Sequence, residues 1–158
     1  MDNTITASTG VLNELVLINN DRIAGYEKAL DELRSRKDSS SEDLDLVVLF
    51  EGMIDDSREY RNALGHEVQV AGGEMAEGTM NSGKLYRVWM DVKTLFSGRD
   101  RQSILAVCEG GEDAALKAYN SALEDESLPS FLRDMISMQK SEIQNSHDEI
   151  KALRNQGD

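Results

Sequence analysis

Apolar residues recur at intervals of three and four along four long segments of this chain. This spacing places them on one face of an α-helix, so it predicts four amphipathic helices. The predicted helices cover residues 8–36, 41–71, 100–125 and 129–154. Pro129, the single proline, falls in the first turn of the fourth helix, where its missing N–H is not needed. The sequence therefore predicts an all-α protein.

The linkers between these helices predict how they are arranged. Short linkers follow the first and third helices, so each of these forms an antiparallel hairpin with the helix after it. The linker over 72–99 is far longer, and its amphipathic stretch 84–96 predicts a short extra helix with Trp89 and Phe96 on the apolar face. A linker of this length can return along the bundle. It predicts a ferritin-like four-helix bundle in up-down-down-up order with one long crossover.

Composition limits the classes of function. A chain of 158 residues suits one domain over 1–158 that buries its core without disulfides, and Cys108 is the single cysteine. The formal charge of −13 repels a phosphate backbone, so we expect no nucleic-acid partner. No apolar run reaches the ~20 residues that span a bilayer, and the polar N-terminus lacks a signal-peptide pattern. We expect a cytoplasmic protein with no membrane contact.

All four predicted helices place potential metal ligands on their apolar faces. Each candidate lies three or four residues from apolar neighbours and shares their side of the helix. With a rise of about 1.5 Å per residue and a crossover that returns to the top, the candidates fall near one level of the bundle. The predicted ligands are Glu27, Glu51, Glu109, Glu112 and His147, with Gln144 supporting them.

Such a polar layer needs a cation, basic partners or water, because unpaired buried carboxylates are unfavourable. Oxygen ligands combined with one imidazole suit iron or manganese, which we expect as the cofactor if the layer binds metal. In the alternative interpretation Glu27 or Glu51 turns into solvent and His147 makes ordinary hydrogen bonds. The common level of the candidates is what favours the metal interpretation.

Short motifs extend along nearly the whole chain. They are Leu12-Asn13-Glu14-Leu15, Asn20-Asp21, Gly25-Tyr26-Glu27, Gly72-Gly73-Glu74, Trp89-Met90-Asp91-Val92-Lys93, Cys108-Glu109, Gly111-Glu112-Asp113, Ala115-Leu116-Lys117-Ala118-Tyr119 and His147-Asp148. In these motifs the chain resembles a bacterial family of ferritin-like four-helix bundles catalogued as domain of unknown function 2383. The resemblance implies the ferritin-like fold and no particular activity.

Within the wider ferritin-like group, two irons are held by one Glu on each of helices one and three and by an E-x-x-H motif on each of helices two and four. Against that pattern, Glu27 and Glu112 match the single-Glu positions. The second helix has Glu51 but Ile54 three residues later, and the fourth has Gln144 three residues before His147. A complete di-iron ligand set is therefore not evident.

Two hypotheses follow. The first is a ferritin-like protein that binds iron or manganese in its polar layer and acts in metal handling or stress response. The second is a non-enzymatic structural or interaction protein whose polar layer only determines helix packing. For either, we expect a homodimer, because Trp89 and Phe96 offer more apolar surface than one bundle needs.

Overall fold

The computed structural model describes residues 3–35, 43–78 and 101–156. Over this part of the chain it contains four helices and no strand, which confirms the all-α prediction. The helices are α1 (Asn3–Ser35), α2 (Leu44–Val70), α3 (Arg101–Leu123) and α4 (Ser130–Asn155). α1 begins at Asn3 rather than at residue 8, while the other boundaries lie within three residues of their predicted positions. The predicted short helix 84–96 lies outside the described residues.

Ion pairs between helices give the direction of each helix. Glu27 pairs with Arg58, whereas Arg34, further along α1, pairs with Glu51, earlier in α2, so α1 and α2 are antiparallel. Arg101 at the start of α3 pairs with Asp45 at the start of α2, so these two helices are parallel.

The fourth helix completes the topology. The Gln102 side chain of α3 donates to the backbone carbonyls of Leu153 and Arg154 at the end of α4. The start of α3 therefore lies beside the end of α4, and these two helices are antiparallel. The order is up-down-down-up, as the long linker predicted.

The core is built from the apolar faces of all four helices. Tyr26 of α1 and Phe50 of α2 lie at its centre, with ring centroids 5.3 Å apart. Burial of each large aliphatic side chain stabilises the fold by about 1.5–3 kcal/mol. Further fully buried side chains are Leu12, Leu15, Leu33, Leu46, Leu64, Ile104, Leu105 and Ile136. No helix in the described part of the chain combines the length and the apolar character needed to cross a membrane.

Gly72 ends α2 with a φ of 89°, a backbone conformation that glycine adopts without steric cost. The chain then runs along α1 as a segment that we call the strap (residues 73–78). Asn13 holds the strap twice, because its Nδ2 donates to the Glu74 carbonyl at 2.9 Å and its Oδ1 accepts from the Ala76 N–H at 2.8 Å.

A second asparagine holds the end of the strap. Asn20, seven residues after Asn13 on the same side of α1, donates from Nδ2 to the Gly78 carbonyl at 2.7 Å. Its Oδ1 accepts from Arg61 of α2, so the strap lies on the α1–α2 side of the bundle. The strap therefore begins the crossover by turning the chain back along α1.

We expect Asn13→Ala to loosen the strap without unfolding the helices. The substitution removes two hydrogen bonds, each with a net contribution of about 0.5–1.5 kcal/mol. Amide hydrogen exchange at Ala76 should accelerate strongly. Asn62→Ala is the matched control, because among the described residues Asn62 accepts a bond from the neighbouring Arg61 alone and makes no hydrogen bond with the strap. Unchanged exchange at Ala76 in Asn13→Ala would contradict this role of Asn13.

Candidate functional site

A buried ion pair between α1 and α3 lies at the centre of the bundle. The Arg22 side chain is 1% exposed and the Glu112 side chain is 0% exposed. Arg22 Nη2 and Nε donate to Glu112 Oε1 at 2.7 and 3.2 Å. The positive charge of the guanidinium compensates the buried carboxylate, which would otherwise be strongly unfavourable in the core.

Three further groups complete the environment of this pair. The Tyr26 hydroxyl donates to Glu112 Oε1. Arg22 Nη1 donates to Ser57 Oγ of α2 at 2.9 Å, and Ser57 Oγ donates to the Met53 carbonyl at 2.8 Å. Each Arg22 nitrogen is therefore bonded to a side chain of another helix, and the pair joins α1, α2 and α3.

The rings of Tyr26 and Tyr60 also face the guanidinium. The Arg22 Cζ lies 5.9 Å from the Tyr26 ring centroid and 6.0 Å from that of Tyr60. At this separation the negative faces of aromatic rings attract a cation. The surroundings of Arg22 thus combine one carboxylate, one hydroxyl and two aromatic rings.

A second chain of hydrogen bonds extends the buried polar layer to α4. Asn19 Nδ2 donates to the Leu15 carbonyl and to the Tyr119 hydroxyl, both at 2.9 Å. The Tyr119 hydroxyl donates to Gln139 Oε1 at 2.7 Å, and Gln139 Nε2 donates to the Tyr60 carbonyl at 3.4 Å. Together with the ion pair, these bonds place a polar contact from every helix inside the core.

The buried ionisable groups are held in definite protonation states. Burial lowers the pKa of Arg22, but the Glu112 carboxylate together with Tyr26 and Tyr119 outweighs this effect, and the pKa lies above that of free arginine. Burial and, after it, the charge of Glu112 raise the pKa values of Tyr26 and Cys108 well above their usual range. Arg22 therefore stays charged, while the phenol and the thiol stay neutral.

Two of the predicted metal ligands lie outside the core. The side chains of Glu27 and Glu51 are 53% and 51% exposed. Glu27 is 3.6 Å from Arg58, and Glu51 is 2.6 Å from Arg34. Both carboxylates therefore belong to ion pairs on the α1–α2 surface, and neither lies beside the buried Glu112.

Glu109 and His147 are brought together between α3 and α4. Glu109 Oε2 pairs with Arg154 Nη1 at 2.8 Å, and Glu109 Oε1 lies 3.9 Å from His147 Nε2. His147 Nε2 is also 2.7 Å from Asp113 Oδ1. This cluster reaches the surface, because the Asp113 side chain is 63% exposed.

Gln144 is exposed and lies beside the same histidine. Its Nε2 donates to Asp148 Oδ1 at 3.0 Å, and His147 Nδ1 lies 3.1 Å from the same oxygen. These two hydrogen bonds, with that from His147 first, lower the pKa of Asp148. The imidazole thus has a carboxylate oxygen at each ring nitrogen.

The described residues do not present the carboxylate cage of a di-iron centre. They contain no group of three or more His, Cys, Asp or Glu side chains arranged to hold a metal ion. Glu112 meets the Arg22 guanidinium, while Glu27 and Glu51 face solvent. A buried iron or manganese pair therefore does not fit these residues.

Sequence reasoning missed Arg22, the residue that balances Glu112. A signal for it was present, because Arg22 lies three residues after Asn19 and four before Tyr26, on the buried side of α1. Ser57 and Gln139 occupy similar positions among apolar neighbours on α2 and α4. A carboxylate on a buried helix face can be balanced by a metal ion or by a basic side chain, and here Arg22 is that basic side chain.

Comparison with protein families matches residues 8–126 to the family described as "Domain of unknown function (DUF2383)". The match covers more than half of the chain. Comparison with curated proteins and with solved structures gave no match. The description of the family assigns no activity, so the chemistry of the site rests on the residues themselves.

We expect removal of either partner of the buried pair to be strongly destabilising. Arg22→Met and Glu112→Leu should each lower the free energy of unfolding by about 3–5 kcal/mol, because each leaves the other charge buried and uncompensated. The double variant should lose much less free energy of unfolding than the sum of the losses in the two single variants. Urea denaturation of the four proteins measures this coupling.

The exposed pair Arg34–Glu51 is the matched control for this cycle. Its side chains are 56% and 51% exposed, so its coupling should stay below about 1 kcal/mol. Additive effects of Arg22→Met and Glu112→Leu, or coupling no larger than in the control pair, would show that the buried pair does not hold α1 and α3 together.

The thiol of Cys108 should not react in the native protein. It is fully buried, and burial with the charge of Glu112 raises its pKa, so the reactive thiolate is not formed. At about pH 8 a disulfide reagent such as dithionitrobenzoate should label Cys108 only after urea unfolding. Rapid labelling of the folded protein would contradict the burial of this residue.

Proposed function

The chain belongs to the family of the domain of unknown function 2383, and from that premise we propose that it is a non-enzymatic helical interaction protein. In this proposal the buried polar layer determines how the helices pack, and the outer helix faces contact partners. The observation that carries the proposal is the ion pair of Arg22 with Glu112.

The ion pair supports a packing role because it occupies Glu112, the buried group that could otherwise bind a metal or take part in a reaction. A metal at Glu112 would meet the fixed positive charge of Arg22, which two N–H groups hold against Glu112 Oε1. The nearby Cys108 and Tyr26 are kept neutral by their raised pKa values. None of these groups is exposed to a substrate, since all four are buried.

The geometry of the layer also supports a role in specificity. A guanidinium, a carboxylate and side-chain amides have directional hydrogen bonds, so sliding one helix past another would break the bonds that they make here. A purely apolar core tolerates sliding of one helix past another more readily. In this proposal, Arg22 and Gln139 set the relative heights of the four helices.

Metal handling is the second candidate function, and the cluster around His147 favours it. Glu109 Oε1 and Asp113 Oδ1 both face His147 Nε2, at 3.9 and 2.7 Å, while Arg154 holds the other Glu109 oxygen. One imidazole and two carboxylates are ligand types that suit a divalent iron or manganese ion, although these three side chains are not arranged around a metal position as they lie. Binding would replace the bond between His147 and Asp113.

Elemental mass spectrometry of protein expressed with iron and manganese, and purified without a histidine tag, separates the two candidates. Under the interaction proposal we expect well below one metal ion per chain in the wild type. Near-stoichiometric metal that disappears in His147→Ala and Asp113→Asn would favour metal handling. The same metal lost in Glu112→Gln but kept in His147→Ala would overturn the packing role of the buried layer.

A further inference from the structure

Large apolar side chains are exposed at two places on α4. Phe131 and Met138 are 61% and 57% exposed, and their spacing of seven residues places both on one side of the helix. Met135 lies between them on the same side and is half-buried. Single exposed hydrophobics are common, but a helical stripe of them indicates a contact surface.

The contacts of Glu142 show which way this stripe faces. Glu142 lies four residues after Met138 and so continues the stripe. It lies close enough to Tyr60 and Asp56 of α2 to raise the pKa of each, and Gln139 of the same helix donates to the Tyr60 carbonyl. The stripe therefore borders α2.

The side of α2 that faces this stripe also carries apolar and acidic residues. Asp56, Ala63, Glu67 and Val70 follow one another at intervals of seven, four and three, so they share one side of the helix. Val70 is 69% exposed. It ends α2 at the level where the antiparallel α4 begins. We call the two sides together the α2–α4 face: Asp56, Ala63, Glu67, Val70, Phe131, Met135, Met138 and Glu142.

Every charged residue of this face is acidic. Asp56, Glu67 and Glu142 lie on it, and Glu59 is near enough to affect Asp56. Burial and then the charges of Glu59 and Glu142 raise the pKa of Asp56, and the buried Arg22 lowers it by less, so the carboxylates dominate the charge at this part of the face. The strap does not shield them, because Asn20 and Arg61 hold it on the α1–α2 side.

We infer that the α2–α4 face is a docking site for a basic amphipathic helix. Phe131, Met138 and Val70 provide an apolar strip between two helices, and methionine adapts its shape to different partners. The carboxylates of Asp56 and Glu142, at the end of the strip beyond Met138, attract lysine and arginine. This inference rests on the proposed function as an interaction protein and names the partner chemistry of one surface.

A second copy of the chain suits this face less well than a basic helix does. Two such faces in contact would bring the carboxylates of Asp56 and Glu142 against their own copies, and like charges repel. The formal charge of the chain, −13, adds to the repulsion. A basic helix relieves the repulsion among these groups while it covers Phe131 and Met138.

The first test is binding of a synthetic leucine–lysine peptide of about 16 residues, long enough to cover some 24 Å of the face. We expect saturable one-to-one binding by calorimetry, and a scrambled peptide of equal charge should bind at least about tenfold more weakly, since it has no apolar side. Binding should weaken as salt rises from about 50 to 500 mM, because screening removes the attraction of the carboxylates.

Paired variants locate the binding surface. Phe131→Ser with Met138→Ser should weaken binding about tenfold or more. Leu44→Ser with Val48→Ser removes the same number of exposed apolar side chains from α2 outside this face and should leave binding unchanged. All four positions are exposed, so both variants should stay folded. Equal weakening in both variants would overturn the assignment of this face.

The charge contribution has its own control. Glu142→Gln should weaken binding several-fold and make it less sensitive to salt, whereas Glu126→Gln in the turn before α4 should not. Absence of peptide binding, or a homodimer in sedimentation that Phe131→Ser with Met138→Ser dissociates, would overturn this inference. Neither result bears on the buried layer, which metal content and Glu112→Gln test separately.

Discussion

The interior of this bundle depends on one ion pair. A carboxylate can remain charged in a core only beside a compensating charge, and Arg22 provides it for Glu112. Tyr26 also donates to Glu112 Oε1 and Ser57 accepts from Arg22, so moving α1, α2 or α3 along its axis would break a buried hydrogen bond. The apolar core supplies most of the stabilisation, while in our proposal this pair selects one arrangement of the helices.

The connections outside the core serve the same arrangement. Gly72 ends α2, and Asn13 and Asn20 then hold the strap along α1, so the chain turns back toward the level at which α2 began. There Arg101 binds Asp45, which places the start of α3 beside the start of α2. Polar contacts at both ends of the crossover and the buried polar layer therefore place α3 at the same height along the bundle axis. This agreement between local and distant contacts is characteristic of a sequence with one preferred fold.

The candidate site was predicted less completely than the fold. A polar layer was expected from the spacing of Glu112 among apolar residues, and Glu112 is indeed buried. Glu27 has the same spacing on α1 but lies in solvent, because an apolar stripe is wide and a residue at its edge can turn either way. Arg22 was passed over, since long basic side chains are rarely buried unless they are paired, and its partner is distant in sequence.

Local rules were enough to predict from the sequence the four helices of the described part of the chain, all their boundaries but the start of α1, and the parallel arrangement of α2 and α3. Periodicity and linker length carry that information, because each depends on neighbouring residues. Only the tertiary structure decided that Glu112 meets a guanidinium instead of other carboxylates, and that Phe131, Met138 and Val70 lie on one acidic face. Those facts depend on how far each helix is rotated about its axis, and packing of all four helices together determines that rotation.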